Sequence, residues 1–145
     1  DVYKRQYVNY MGKALGIDYG LKKTGLSISD NDHKIAFSLS TVRTNDLNKY
    51  LDDLIKKEKI DFFVVGYPIN LDGKITDLTN HVNGFIKRLT TNFPNIPVNK
   101  FDERFTSKIA RQTIVSSGIN KKNRRKKELV DKISATIILQ DYLSK

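Results

Sequence analysis

The chain has 145 residues, no cysteine and a 39% hydrophobic fraction, which suits one domain with a real core and is too short for two ordinary ones. Disulfides, thiolate metal sites and a cysteine nucleophile are thereby excluded, and no apolar run approaches the ~20 residues of a membrane-spanning helix. A net charge of +10, from 26 basic and 16 acidic residues, attracts polyanions, nucleic acid before anionic membrane.

Residues 1–10 lack the patterning seen in the rest of the chain. Met11-Gly12-Lys13 reads as the natural start, with the leader expected to be non-native or disordered and residues 11–145 to form a single domain. No signal-peptide pattern is visible, which together with the missing cysteines favours the cytoplasm.

The first predicted elements are two strands around the turn in Gly16-Ile17-Asp18-Tyr19-Gly20-Leu21-Lys22-Lys23-Thr24-Gly25-Leu26, a β-hairpin with Asp18 closing its first strand. A carboxylate there, beside glycines and lysines, sits where a metal or a phosphate can approach the backbone. After the polar turn Asn31-Asp32-His33, alternation through Ile35, Phe37, Leu39 and Thr41 predicts a third strand. Leu47, Tyr50, Leu51, Leu54 and Ile55 follow helical spacing, with Thr44 or Asn45 as the expected N-cap. Phe62 to Tyr67 is a continuous apolar run of β-formers, the mark of a strand buried on both faces and therefore central in an α/β sheet. A glycine-containing loop, Asn70 to Lys74, leads to a second helical stripe from Leu78 to Phe93, closed by Pro94. A short strand from Ile96 to Phe101 ends in Asp102-Glu103-Arg104, and a helix is predicted from Thr106 to Ser117, stopping at Gly118. Lys121-Lys122-Asn123-Arg124-Arg125-Lys126-Lys127 then packs six positive charges into seven residues and reads as a basic loop. The last helix is predicted over Glu128–Tyr142. Three early antiparallel strands followed by alternating helices and strands make an α/β protein with a mixed sheet and helices on its faces.

Four acidic residues stand at three element ends. Asp18 closes the first strand, Asp102 and Glu103 close the last, and Asp131 shares an apolar helical stripe with Ala135, Ile138 and Tyr142. A carboxylate is costly to bury unless it is paired or holds a cation. Carboxylates converging at one sheet edge can hold one or two Mg²⁺ or Mn²⁺ ions, hard cations that favour carboxylate oxygens. Two such ions ~3.5–4 Å apart serve an in-line phosphoryl displacement. With the basic surface, the set reads as metal-dependent phosphodiester hydrolysis. Each acid also has a plain structural use: Asp18 as a turn-former, Asp102 or Glu103 as a partner of Arg104 or a helix cap, Asp131 as an early-helix acid. His33 reads as a turn residue and His81 as structural. The chain shows no Ser/His/Asp arrangement, Walker A loop or Gly-x-Gly-x-x-Gly fingerprint.

These residues resemble the YqgF (RuvX) family of pre-16S rRNA nucleases and Holliday junction resolvase-like proteins. The resemblance runs from Met11 to about Leu143. It rests on Gly16-Ile17-Asp18-Tyr19-Gly20 with Thr24-Gly25-Leu26, Val64-Val65-Gly66-Tyr67-Pro68 with Leu71-Asp72-Gly73, Asp102-Glu103-Arg104-Phe105-Thr106, and Lys132 to Gln140 after Asp131. The resemblance implies an RNase H-like fold, here a mixed five-stranded sheet flanked by helices. It also implies a divalent-metal-dependent nuclease trimming the 5′ end of pre-16S rRNA. Residue by residue it implies Asp18, Glu103 and Asp131 as the catalytic and metal-holding set, with Asp102 a further candidate ligand. Tyr67-Pro68 stands where many related nucleases carry an acid, so Glu103 is the expected substitute. Lys22, Lys23, Arg104 and the cluster Lys121, Lys122, Arg124, Arg125, Lys126 and Lys127 are the expected nucleic-acid contacts. The chain departs from the family pattern at Lys23 in place of Arg, Tyr67 in place of Leu and Phe105 in place of Leu. Lysine keeps the charge of arginine but loses its bidentate phosphate geometry.

The expected partner is RNA, with no membrane, and the expected state a monomer or weak dimer. The nearest rival is an endonuclease cutting branched DNA, which would need a symmetric dimer. A non-catalytic RNA-binding module is a further alternative. An actin/Hsp70-like ATPase, suggested by the glycine-bearing hairpin, needs two comparable domains that 145 residues do not supply.

Overall fold

The computed structural model describes residues 12–103 and 124–145, with the side chains of residues 124–132 outside that description. Five strands form one mixed sheet: β1 (Lys13–Asp18), β2 (Lys23–Ser29), β3 (Ala36–Arg43), β4 (Ile60–Tyr67) and β5 (Val98–Asp102), ordered β3-β2-β1-β4-β5. The first three pair antiparallel, while β4 runs parallel to both β1 and β5. β1 is therefore the central strand and β4 its interior neighbour, so the apolar run Phe62–Tyr67 is interior as expected but not the middle one. Among the described residues the α-helices are α1 (Leu47–Lys57), α2 (Asp77–Asn92) and α3 (Arg124–Leu143). The leader and the helix expected over 106–117 lie outside the described residues.

Strand alternation sorts the core into two layers. Leu15, Ile17, Leu26, Phe63 and Val65 point to the face covered by Leu47 and Leu51 of α1 and Val82, Phe85 and Leu89 of α2. Ala14, Val64 and Phe101 point to the opposite face, where Ile138 and Leu139 of α3 close over them. Truncating a side chain as enclosed as Phe63 or Leu15, both 0% exposed, costs about 3–5 kcal/mol.

Two boundaries differ from the sequence reading. Neither Thr44 nor Asn45 caps α1: residues Thr44–Asp46 form a 3₁₀ turn, and Asp46 in the N-cap position makes no side-chain cap. The Thr44 hydroxyl instead donates to Gly20 O at 2.7 Å and lies 2.9 Å from Thr24 Oγ1, tying the β1–β2 turn to the end of β3. The last helix begins at Arg124 rather than Glu128, so half of the expected basic loop is helical. By contrast, α2 carries a full capping box between Thr76 and Thr79.

His33 is a turn residue, with φ of 56°, and it also fixes the start of β4. Its Nε2 lies 3.0 Å from Asp61 Oδ2 and 3.2 Å from Gly12 O. A ring nitrogen facing both a carboxylate and a carbonyl must carry the proton. His81 is exposed on α2.

Candidate functional site

α3 runs antiparallel to β1. The Ser27 hydroxyl donates to Ala135 O at 2.7 Å, and a Cβ on Gly16 would come within 2.8 Å of Leu139 Cβ. Further along, the Gln140 side chain accepts from Ala36 N at 2.9 Å and donates to Lys34 O at 3.0 Å, while Tyr142 meets the Phe62 ring. The C-terminal end of α3 thus lies beside the start of β1 and β4, and its N-terminal end rises toward Asp18. Only glycine at position 16 lets the helix backbone come this near to the central strand.

That direction sets the level of the acids. Asp18 lies two residues beyond Gly16, about 6.6 Å along the strand. Asp131 lies one turn before Ala135, about 5.4 Å along the helix in the same direction. The Asp131 backbone belongs to α3, in its third turn, because the helix starts at Arg124 rather than at Glu128.

Glu103 follows the last residue of β5. Its Oε2 would be 3.1 Å, and its Cδ 3.2 Å, from a Cβ placed on Gly66, which Ile138 Cδ1 would approach to 2.7 Å. The carboxylate therefore lies against the bare backbone of β4, on the α3 face. β4 and β1 are in register through Ile17 and Val65, so Gly66 stands beside Asp18. Asp18, whose even-numbered strand neighbours Ala14 and Gly16 face α3, belongs to the same face. Both carboxylates are half-buried, at the C-terminal ends of parallel strands, on one face of the sheet. Asp102 pairs with Tyr67, and alternation puts it on the other face with Tyr67 and Lys100, whose Nζ sits 4.8 Å over the Tyr67 ring. The structure thus brings Glu103 and the Asp131 backbone to the Asp18 end of the α3 face and sets Asp102 apart from them.

Among the described residues no three His, Cys, Asp or Glu side chains gather into a metal cluster; the Asp131 side chain is outside them. The donor set that is described, two carboxylates on one face with a glycine keeping the strand surface open between them, suits a hard divalent cation.

Lys22 is exposed in the β1–β2 turn, and its carbonyl accepts from Thr44 N at 2.9 Å. Lys23 opens β2, half-buried and opposite Arg43. Arg124, Arg125, Lys126 and Lys127 form the start of α3, with no acid in its first turn. Arg104, Lys121 and Lys122 lie outside the described residues. A depression of about 810 Å³ bordered by His33, Asp61, Phe62, Asn99 and Tyr142 sits at the other end of the sheet, away from the acids. Among the described residues no helix is long and apolar enough to cross a membrane.

Sequence reading missed the role of Gly66. The signal was present in the one glycine of the apolar run Phe62–Tyr67, since an interior strand that gives up a side chain marks a close approach.

Residues 12–145 match the family model described as RuvX, Holliday junction resolvase. Similar proteins include one of Amoebophilus asiaticus, 47% identical over 92% of this chain and 95% of its own length. Relatives in Flavobacterium johnsoniae and Bacteroides fragilis are 44% and 39% identical, each over 92% of this chain and 97% and 96% of their own lengths. All three carry the name "Putative pre-16S rRNA nuclease".

Proposed function

Because the chain belongs to the RuvX family, whose RNase H-like fold its mixed five-stranded sheet and flanking helices display, we propose that it is a divalent-metal-dependent nuclease that processes the 5′ end of pre-16S rRNA. The observation that carries the reading is the Glu103 carboxylate lying over Gly66, beside Asp18 and on the α3 face.

In this reading Asp18, Glu103 and Asp131 hold one or two Mg²⁺ or Mn²⁺ ions. When bound, such an ion supplies Lewis-acid stabilisation of the charge that develops on the phosphoryl oxygens. The chain's own part is positioning. The ends of β1 and β5 present two acids from a rigid sheet, and the Ser27–Ala135 bond fixes how far α3 carries the third along it. Lys22 and the Arg124–Lys127 turn take the phosphates on either side of the scissile bond. Four cations at a helix N-terminus oppose the helix dipole, and a polyanion relieves that conflict. The relatives' names favour RNA over branched DNA as the substrate.

The test is cleavage of a labelled pre-16S rRNA fragment beside a four-way DNA junction, with Mg²⁺, Mn²⁺ or EDTA. Metal-dependent cutting of the RNA, reduced roughly 100-fold or more by Asp18→Asn with RNA binding retained, is the expected result. Cutting of the junction alone would move the activity to DNA. Binding of RNA without any cutting would make this a binding module.

A further inference from the structure

We propose that the hairpin formed by residues 69–75 is a base-contacting wedge, in which Leu71 and Ile75 pack on unpaired nucleobases of the strand being cut while Lys74 and Lys22 take flanking phosphates. The proposal rests on the nuclease reading and adds the form of RNA that the site accepts.

The hairpin has a fixed shape. Ile69 and Ile75 form an antiparallel bridge. Asn70 N donates to Lys74 O at 3.1 Å, Gly73 N to Asn70 O at 2.8 Å, and Lys74 N to Asp72 Oδ1 at 2.9 Å. Gly73 takes φ of 83°, a conformation that glycine supplies at low cost. Its base is held by the Thr79 hydroxyl, which donates to Pro68 O, and by the Thr76–Thr79 capping box.

A turn so well tied would be expected to turn its apolar side chains inward. Instead Leu71 is 73% exposed and Ile75 61%. The neighbouring β1–β2 turn does the same with Leu21, 58% exposed. The two turns leave adjacent parallel strands at the same end, so three large aliphatic side chains gather at the end of the sheet that carries Asp18 and Glu103. Ile69 comes only three residues after Gly66, at most about 10 Å of chain.

Charge decides the occupant. Leu21 is followed by Lys22 and Ile75 is preceded by Lys74, in a chain of net charge +10, while the hairpin's own Asp72 is turned back to accept from Lys74 N. Aliphatic surface interleaved with cations matches a strand that offers a flat apolar base and a phosphate at each step. Leucine and isoleucine are also side chains that enter between bases and part them. In a duplex the base faces are already stacked on one another, so entry there must first unstack them, a cost that unpaired bases do not carry. The wedge therefore selects RNA that is single-stranded or frayed beside the cut.

The experiment compares the full chain carrying Asp18→Asn with the same chain carrying Leu71→Ser and Ile75→Ser in addition, with a thermal melt to verify folding. The probes are a single-stranded RNA oligonucleotide labelled with 2-aminopurine and a fully paired RNA duplex. The proposal expects the 2-aminopurine signal to change on binding, the two serines to abolish that change and weaken single-strand binding about fivefold or more, and duplex binding to stay within twofold. Unchanged single-strand binding would leave the aliphatic patch to a protein partner and overturn the proposal. So would equal losses for both probes, or a gain in binding, the last marking the patch as a seat for another part of the chain. These readouts need no turnover, so absence of cleavage in the otherwise unsubstituted chain would sink the nuclease reading without deciding this one.

Discussion

The Glu103 carboxylate lies against the backbone of Gly66, so near that a Cβ there would come within 3.1 Å of Oε2. The three atoms that a methyl group would meet, Ile138 Cδ1 and Glu103 Oε2 and Cδ, lie toward the ends of side chains rather than in backbone. Gly66→Ala is therefore expected to cost only about 1–2 kcal/mol in urea unfolding, while displacing the acid and lowering kcat at least tenfold. Full activity in this variant would separate Glu103 from the chemistry.

Ser27 sets the position of α3 through its bond to Ala135 O, and both ends of that bond are buried. In a helix interior that carbonyl also serves the i+4 amide, so losing the hydroxyl does not orphan it. Ser27→Ala is expected to cost about 1 kcal/mol, read as a shift of the urea midpoint. A loss above about 3 kcal/mol would mean that the helix had shifted rather than merely loosened.

Lys126 and Lys127 stand at the start of α3 with like-charged neighbours and no acid in the first turn. Replacing both with alanine is expected to reduce the slope of log affinity against log salt by about 1.4 for single-stranded RNA, about 0.7 for each phosphate no longer neutralised. The same change relieves the conflict with the helix dipole and should raise stability by about 0.3–1 kcal/mol. Binding and stability moving in opposite directions is the diagnostic outcome, read from filter binding across a salt series and from a thermal melt.

Asp30 holds the β2–β3 turn by accepting from Ile35 N at 3.0 Å and Lys34 N at 2.8 Å. The Ile35 bond is the largest influence lowering its pKa below the ordinary aspartate value, with burial opposing it and Lys34 assisting. A depressed folded-state pKa gives stability that is fully present above the unfolded value, about 3.9, and is lost as pH falls through the lower folded one. Asp30→Ala should be less stable than the unsubstituted chain near neutrality, and the gap should narrow below about pH 4. A gap that stayed constant through acid unfolding would assign it to lost turn geometry rather than to charge.

Much of the architecture was legible because apolar spacing reports burial directly. The run Phe62–Tyr67 could only be an interior strand, and the stripe Leu78–Phe93 only a helix with one covered face. The N-cap of α1 was not, since a threonine before a helical stripe has the same local signature whether its hydroxyl caps the helix or, like Thr44, reaches back to Gly20. The start of α3 was missed for a related reason: repulsion within Lys121–Lys127 argues for a loop, and only packing further down the helix offsets it.

By itself the sequence determined the order of the described elements, the two-layered core and which acids stand at strand ends, because those follow from side-chain polarity and local periodicity. The tertiary structure decided which acids share a face of the sheet. Asp102 and Glu103 are neighbours in the chain, yet strand alternation sends them to opposite faces. Gly66 is apolar filler in a linear reading and becomes the bed of a carboxylate once β5 is laid in parallel beside β4. Pairing register and helix direction are long-range quantities, fixed by contacts as distant as Ser27 with Ala135, and no local pattern of residues encodes them.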